Sequence, residues 1–246
     1  MLRLKYKKPV KPTNKMTYIL GSRCKDWVVL IADTKFTVDG GTRYDYDDKL
    51  IRVFKELLSM VIGFSGSREP FTHLRMRLSE RRKELEKEFY ETEKISTDKI
   101  NNIIIEVMKS LRGYHSGNEY DMLVGISAKP SVLTYFYQDG RPEEVRGCKA
   151  IGDWTYGSVF LNENWDEDMD MKTVAGIGYF VIRYIEKFQL NLGIGTGGDK
   201  PYPNVKFLPD YSYDYDASPE QIRKFEEDAK RNLDRLNNAF KLDFCS

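Results

Sequence analysis

Thr17, Asp33 and Lys49 stand at equal spacings of sixteen residues. A hydroxyl, a carboxylate and an ammonium are the parts of an activated oxygen nucleophile. The lysine lowers the proton affinity of the hydroxyl, and the carboxylate holds the lysine in place. Thr17 opens one β-prone run, Asp33 closes the next and Lys49 opens a third. A hairpin brings strand ends together, so the three groups can converge at one rim. The same residue types at strand ends also serve turns and surface charge, and the spacing by itself leaves both readings open.

Other chemistries find less support. Cys24, Cys148 and Cys245 are odd in number, far apart and without a CxxC pair, and His73 and His115 are the only histidines. Neither a disulfide scaffold nor a structural zinc module fits, so no metal or cofactor is expected and a reducing compartment is the simpler setting. Residues 193–198 (GIGTGG) lack the Gly-Lys-Ser/Thr ending of a phosphate loop. Thirty-nine basic residues face thirty-eight acidic ones, but six of the basic ones crowd into residues 1–15, which hold no acid. The remaining chain therefore has an acidic excess, a poor basis for nucleic-acid binding. No apolar run approaches the ~20 residues of a membrane span. The basic start also lacks the apolar stretch of a signal peptide, so a cytoplasmic protein is expected.

The elements that must position these residues can be read from hydropathy. Residues 17–24 and 27–33 are β-branched and aromatic runs joined by Lys25-Asp26, the pattern of a hairpin. Strands are expected at 50–54 and 58–65. Helices are expected over 69–90, with Phe71, Leu74, Leu78, Leu85 and Phe89 on one face, and over 97–111. Strands return at 121–127, 132–138 and 144–151, the last two separated by an Asp139-Gly140 turn. A helix over 171–188 carries Val174, Ile177, Val181, Ile185 and Phe188 in register. A strand near 205–208 and an acidic, tyrosine-rich loop over 210–216 follow. The last helix starts at a well-marked capping box of Ser218, Pro219 and Gln221. Strands grouped between helix pairs suggest sheets covered by helices and not βαβ units. With no internal repeat and no linker, the chain divides into a basic extension, 1–16, and one domain, 17–246. The extension reads as a propeptide or as residues upstream of a true start at Met16.

The stretch TYILGSRCKDWVVLIADTKFTV resembles the opening of proteasome-type β subunits, members of the N-terminal-nucleophile hydrolases. It has a threonine, a glycine four residues on, a Lys-Asp turn, and an apolar strand ending in Ala-Asp. DDKLIRVF is similar to the family's lysine-leucine strand and VIGFSGS to its glycine-bearing strand. The match runs without a gap from Thr17 to about Ser67. It continues more weakly through DMLVGIS, KAIGDW, KTVAGIGYFVIRYIE and GTGGD.

The resemblance implies an α+β fold, a four-layer αββα sandwich, and a threonine-type peptidase. It assigns Thr17 as nucleophile with its own freed α-amine in proton transfer, Lys49 as the group that eases the hydroxyl's ionisation, and Asp33 as the residue that orients Lys49. The Gly63 N–H would serve the oxyanion, and Thr37 would align substrate backbone by strand addition. Phe36, Ile51, Val61 and Ser65 would line the specificity pocket. The family's supporting serine appears as Asp153, its Ser-Gly-Gly as Thr196-Gly197-Gly198, and the acid expected three residues earlier is Gly193. Met16 stands where the family has a glycine before its nucleophile. The implied partners are peptide or unfolded protein, and copies of the same chain in a ring open to a proteasome-type ATPase. No nucleic acid and no membrane is implied. A non-catalytic assembly subunit and an amidase of small molecules on the same scaffold are the competing readings.

Overall fold

The apolar runs at the start of the domain form a hairpin. Strand β1 (Tyr18–Cys24) returns through the Lys25-Asp26 turn into β2 (Trp27–Ala32), with Cys24 opposite Trp27. Both faces are buried, which is why these strands read as nearly continuous apolar runs. Tyr18, Leu20, Val29 and Ile31 pack on one side, while Ile19, Val28, Leu30 and Ala32 pack on the other. The computed structural model describes residues 17–38, 43–46, 48–54, 59–66, 68–84, 87, 97–112, 121–127, 130–137, 139–152, 160–161, 163–188, 194–210 and 214–244.

The further strands are β3 (Lys35–Val38), β4 (Arg43–Tyr46), β5 (Leu50–Phe54), β6 (Met60–Ser65), β7 (Asp121–Ile126), β8 (Val132–Phe136), β9 (Pro142–Glu144), β10 (Cys148–Gly152), β11 (Asn204–Pro209) and β12 (Tyr215–Asp216). The longer helices are α1 (Arg68–Glu80), α2 (Thr97–Arg112), α3 (Met171–Phe188) and α4 (Pro219–Phe244). One five-stranded sheet runs β10-β1-β2-β11-β12, a second runs β5-β6-β7-β8-β9, and the pairings are antiparallel throughout. Among the described residues, strands β3 and β4 pair only with each other and belong to neither sheet. Met60, Ile62 and Phe64 of β6 pack with Phe71, Leu74 and Leu78 of α1 and with Ile100, Ile104 and Met108 of α2. No helix among the described residues is long and apolar enough to cross a membrane.

This arrangement corrects the expected four-layer αββα sandwich of the N-terminal-nucleophile type. Among the described residues there are two antiparallel five-stranded sheets, a separate two-stranded ribbon of β3 and β4 that hydropathy did not mark, and the helices. A second correction concerns residues 144–151, expected as one strand. They split into the end of β9, in one sheet, and most of β10, in the other. The crossing is fixed by the Val145 N–H donating to the Leu133 carbonyl and the Arg23 N–H donating to the Gly147 carbonyl. The apolar stripe of α3 holds except at Phe188, which is 41% exposed. The capping box at α4 forms as read, with the Gln221 N–H on Ser218 Oγ at 3.2 Å and the Ser218 N–H on Gln221 Oε1 at 2.8 Å. Leu85 and Phe89, expected on the face of α1, lie outside the described residues.

Helix α3 approaches the first sheet through Gly178. A methyl group there would stand 2.3 Å from Ile31 Cδ1 and 2.6 Å from Leu20 Cδ2, both fully buried. Overpacking a filled core costs about 1 to 3 kcal/mol, so Gly178→Ala should destabilise by that order despite alanine's better helix propensity. Chemical denaturation checks it, and unchanged stability would contradict the close approach of α3 to β1 and β2.

Candidate functional site

Asp33 follows the last residue of β2, and Lys49 precedes the first residue of β5. Their side chains are fully buried and meet, with Lys49 Nζ 2.8 Å from Asp33 Oδ1 and 2.9 Å from Oδ2. Two backbone amides complete the carboxylate's surroundings. The Tyr18 N–H donates to Oδ1 at 2.8 Å, and the Gly195 N–H donates to Oδ2 at 3.3 Å. In return the Asp33 N–H donates to the Tyr18 carbonyl at 3.1 Å, which extends the hairpin by one step. Burial pushes the Asp33 carboxyl up, opposed by the Lys49 ammonium and by the two amides. The same burial pulls the Lys49 ammonium down, opposed chiefly by Asp33. An ammonium held down in this way releases a proton more readily than an exposed one, which suits it to assist a hydroxyl.

Thr17 precedes β1 and is 7% exposed. The residue after it, Tyr18, is the one clasped by Asp33, so the ion pair anchors the start of β1. Across the sheet Tyr18 pairs with Gly152 of β10. Gly152 has φ +89°, and a Cβ there would lie 1.7 Å from the Thr17 carbonyl oxygen and 3.1 Å from Ser65 Oγ. Only glycine fits this contact, because both the backbone conformation and the space exclude a side chain. Sequence reasoning passed over Gly152; its one signal is a glycine closing a strand beside a residue the family resemblance singled out.

The other expected site residues divide. Gly63 of β6 pairs with Leu50, the residue after Lys49, and with Leu123 on its other side. A Cβ on it would meet Ile19 Cγ2 at 2.8 Å, so glycine is what lets the two sheets close at this point. Ser65 is fully buried, and its Oγ has no hydrogen-bond partner among the described residues. Val61 is fully buried in the cluster between the sheets, whereas Ile51 packs from the opposite face against the cluster of α1 and α2. Those two do not line one pocket, because Ile51 sits opposite Ile62 and Val61 opposite Arg52. The backbones of Phe36 and Thr37 pair with Asp45 and Tyr44 in the β3–β4 ribbon, while their side chains and the whole of Asp153 lie outside the described residues.

Thr196 has company other than the ion pair. Its Oγ1 accepts from Arg183 Nη1 at 2.7 Å and donates to Glu186 Oε1 at 3.2 Å, and its N–H donates to Glu186 Oε1 at 3.0 Å. What reaches Asp33 from this segment is the neighbouring Gly195. Its N–H bonds the carboxylate, and its carbonyl accepts from the Thr34 and Lys35 N–H groups, both at 3.1 Å. Gly195, Arg183 and Glu186 were not anticipated. The i,i+3 spacing of Arg183 and Glu186 in YFVIRYIEKF marks a helix-surface pair but not its third partner.

No protein-family profile matches the chain, and neither does any curated protein sequence. Solved structures do. The ancestral β-subunit Anbu from Yersinia bercovieri superposes with a TM-score of 0.69 at 15% identity, covering 91% of this chain and 96% of that one. A mutant of Anbu from Hyphomicrobium sp. strain MC1 gives 0.71 at 16% identity, covering 92% and 96%. A helical assembly of the Anbu complex from Pseudomonas aeruginosa gives 0.68 at 13% identity, covering 91% and 95%. Identities this low speak for the fold alone. They also correct the resemblance drawn from residues 17–67: the architecture matched is that of Anbu, described as an ancestral β-subunit, and membership of the proteasome β subunits is not shown.

Removing one partner of a buried ion pair strands the other charge and costs about 3 to 5 kcal/mol. Lys49→Met should therefore destabilise by that order, and the double change Asp33→Asn, Lys49→Met by less than the sum of the singles. Equilibrium unfolding of the four proteins checks this, and additive losses would contradict the pairing. Gly152→Ala, strained in φ and colliding with Thr17, should cost about 3 kcal/mol or more by the same measurement.

Proposed function

We propose that the chain is an N-terminal threonine hydrolase of peptide bonds that works as one subunit of an oligomer. The observation that carries this reading is the fully buried Asp33–Lys49 pair clasped by the Tyr18 N–H, one residue from Thr17. A buried charge pair is weak evidence for stability, since an apolar pair of similar volume would often do as well or better. Holding the residue next to a threonine at the start of a strand, it has a chemical use.

In the reaction, the Thr17 hydroxyl proton passes to the α-amine of Thr17, assisted by Lys49, as Oγ forms a bond to the scissile carbonyl carbon. The carbonyl electron pair moves to oxygen, where a hydrogen-bond donor must receive it; one such donor is typically worth ~10²–10³ in rate. Collapse of the intermediate expels the amine of the leaving peptide, which takes the proton from the Thr17 ammonium. Water, deprotonated by the same amine, then cleaves the ester and restores the hydroxyl. Asp33 keeps Lys49 in place throughout. The α-amine must be free, and in the 246-residue chain the Thr17 nitrogen is bonded to Met16. An amide nitrogen cannot accept the proton.

The architecture shared with Anbu proteins supports a multi-subunit setting, since the Pseudomonas aeruginosa structure is described as a helical assembly. Copies of this chain form a ring or an open helical array. A monomer in sedimentation at high protein concentration would overturn that part.

A chain starting at Thr17 should hydrolyse a fluorogenic peptide and be labelled covalently at Thr17 by a peptidyl vinyl sulfone, whereas the chain starting at Met1 should do neither while residues 1–16 stay attached. Thr17→Ala should abolish both activities with little loss of stability. Mass spectrometry of the labelled peptide reads the result. Absence of label from the Thr17 chain would favour a non-catalytic assembly subunit.

A further inference from the structure

We propose that Arg183 and Glu186 of α3 are positioning residues for the Thr17 site, acting by holding the 194–200 segment so that the Gly195 N–H stays on Asp33. This rests on the threonine-hydrolase reading above. The segment has little structure of its own: its backbone is tied to itself by one bridge, Gly197 with Lys200. It is nevertheless what covers one oxygen of a fully buried carboxylate. Something outside the segment must set its position.

The Thr34 and Lys35 N–H groups take the Gly195 carbonyl, and Arg183 and Glu186 together hold the stretch that follows. Arg183 Nη1 donates to Glu186 Oε2 at 2.6 Å and to Thr196 Oγ1 at 2.7 Å, while Nη2 donates to the Pro201 carbonyl at 3.0 Å. Glu186 Oε1 accepts the Thr196 N–H at 3.0 Å and Thr196 Oγ1 at 3.2 Å. The guanidinium thus grips both ends of the 196–201 stretch, and the carboxylate takes the amide next to the one that serves Asp33. The fork itself is fixed from α4, where Glu226 Oε2 accepts from Arg183 Nε at 2.9 Å and from the Tyr179 hydroxyl at 2.7 Å. The fit around Gly195 is close, since a Cβ there would stand 3.0 Å from Glu186 Oε1. A planar fork with fixed donors suits this multiple grip in a way that a lysine ammonium does not.

The direction of the effect follows from the hydrogen bond. The Gly195 N–H stabilises the Asp33 carboxylate, so losing it raises the carboxyl's proton affinity, and ionised Asp33 is then kept only at higher pH. In the chain starting at Thr17, Glu186→Gln should lower kcat about tenfold with KM within about twofold. Two protonations shape the acid limb of the kcat profile, that of the Thr17 α-amine and that of Asp33, and the Asp33 step should move up by roughly half a pH unit or more. Arg183→Lys, which keeps the charge but not the fork, should shift the limb the same way. Thr196→Val keeps the N–H bond to Glu186 and should shift it less.

Amide hydrogen exchange of the whole chain, read by mass spectrometry, gives a measurement independent of turnover. Exchange over residues 194–200 should quicken in Glu186→Gln while α3 and β1 remain as protected as before. A Thr17 chain that is labelled normally, with both variants unaltered in kcat and acid limb, would overturn the positioning role and leave the hydrolase reading standing. A Thr17 chain that is never labelled would overturn the hydrolase reading, and the catalytic half of this inference with it. Unchanged exchange over 194–200 in Glu186→Gln would overturn the brace whatever the activity.

Discussion

A carboxylate and an ammonium without exposed surface have no water to solvate them, so protein groups must replace it, and the Asp33–Lys49 pair sets that demand on the rest of the chain. Asp33 is answered by the ammonium and by two amides, one from β1 and one from a segment more than 160 residues away. Burial alone would neutralise both groups, raising one and lowering the other. The partners oppose it, and they do so only while four separate pieces of chain stay in register.

The register comes from close approaches that tolerate no side chain. Gly63 lets β6 come against Ile19 of β1, Gly152 lets β10 come against Thr17, and Gly178 lets α3 settle on Ile31 and Leu20. Each brings an element of the site nearer to the ion pair than a methyl group would permit. Helix α3 therefore does two things at once. One face fills the core through Val174, Tyr179, Ile182 and Ile185, and another carries Arg183 and Glu186 to the 194–200 segment.

Residues 17 to 67 carried most of what could be read. Thr17 and Asp33 lie at the open end of the β1–β2 hairpin, whose geometry brings them together over a short chain separation, while Lys49 arrives from the start of β5 in the other sheet, beyond the β3–β4 ribbon. Both strands of the first hairpin were legible from their residue types and turn, as was the cap of α4 from Ser218 and Gln221. Two residues of the expected pocket are placed apart. Ile51 and Val61 fall on opposite faces of one sheet because β5 and β6 pair in a particular register, which the side-chain period of two makes decisive and which residue types do not state.

By itself, then, the sequence determined the first hairpin, the longer helices and the triad of candidate groups, but neither the β3–β4 ribbon nor the family. Tertiary structure decided which groups share a space. Residues 144–151 look like one strand, yet backbone bonds to Leu133 and Arg23 divide them between two sheets. Thr196 looks like a member of the site, yet Arg183 and Glu186 hold it, and its neighbour Gly195 reaches Asp33 through a backbone amide that any residue type except proline possesses. Hydropathy and propensity report on interactions within a few residues. A backbone donor arriving across 162 positions leaves no mark on residue identity, so only the folded chain shows it.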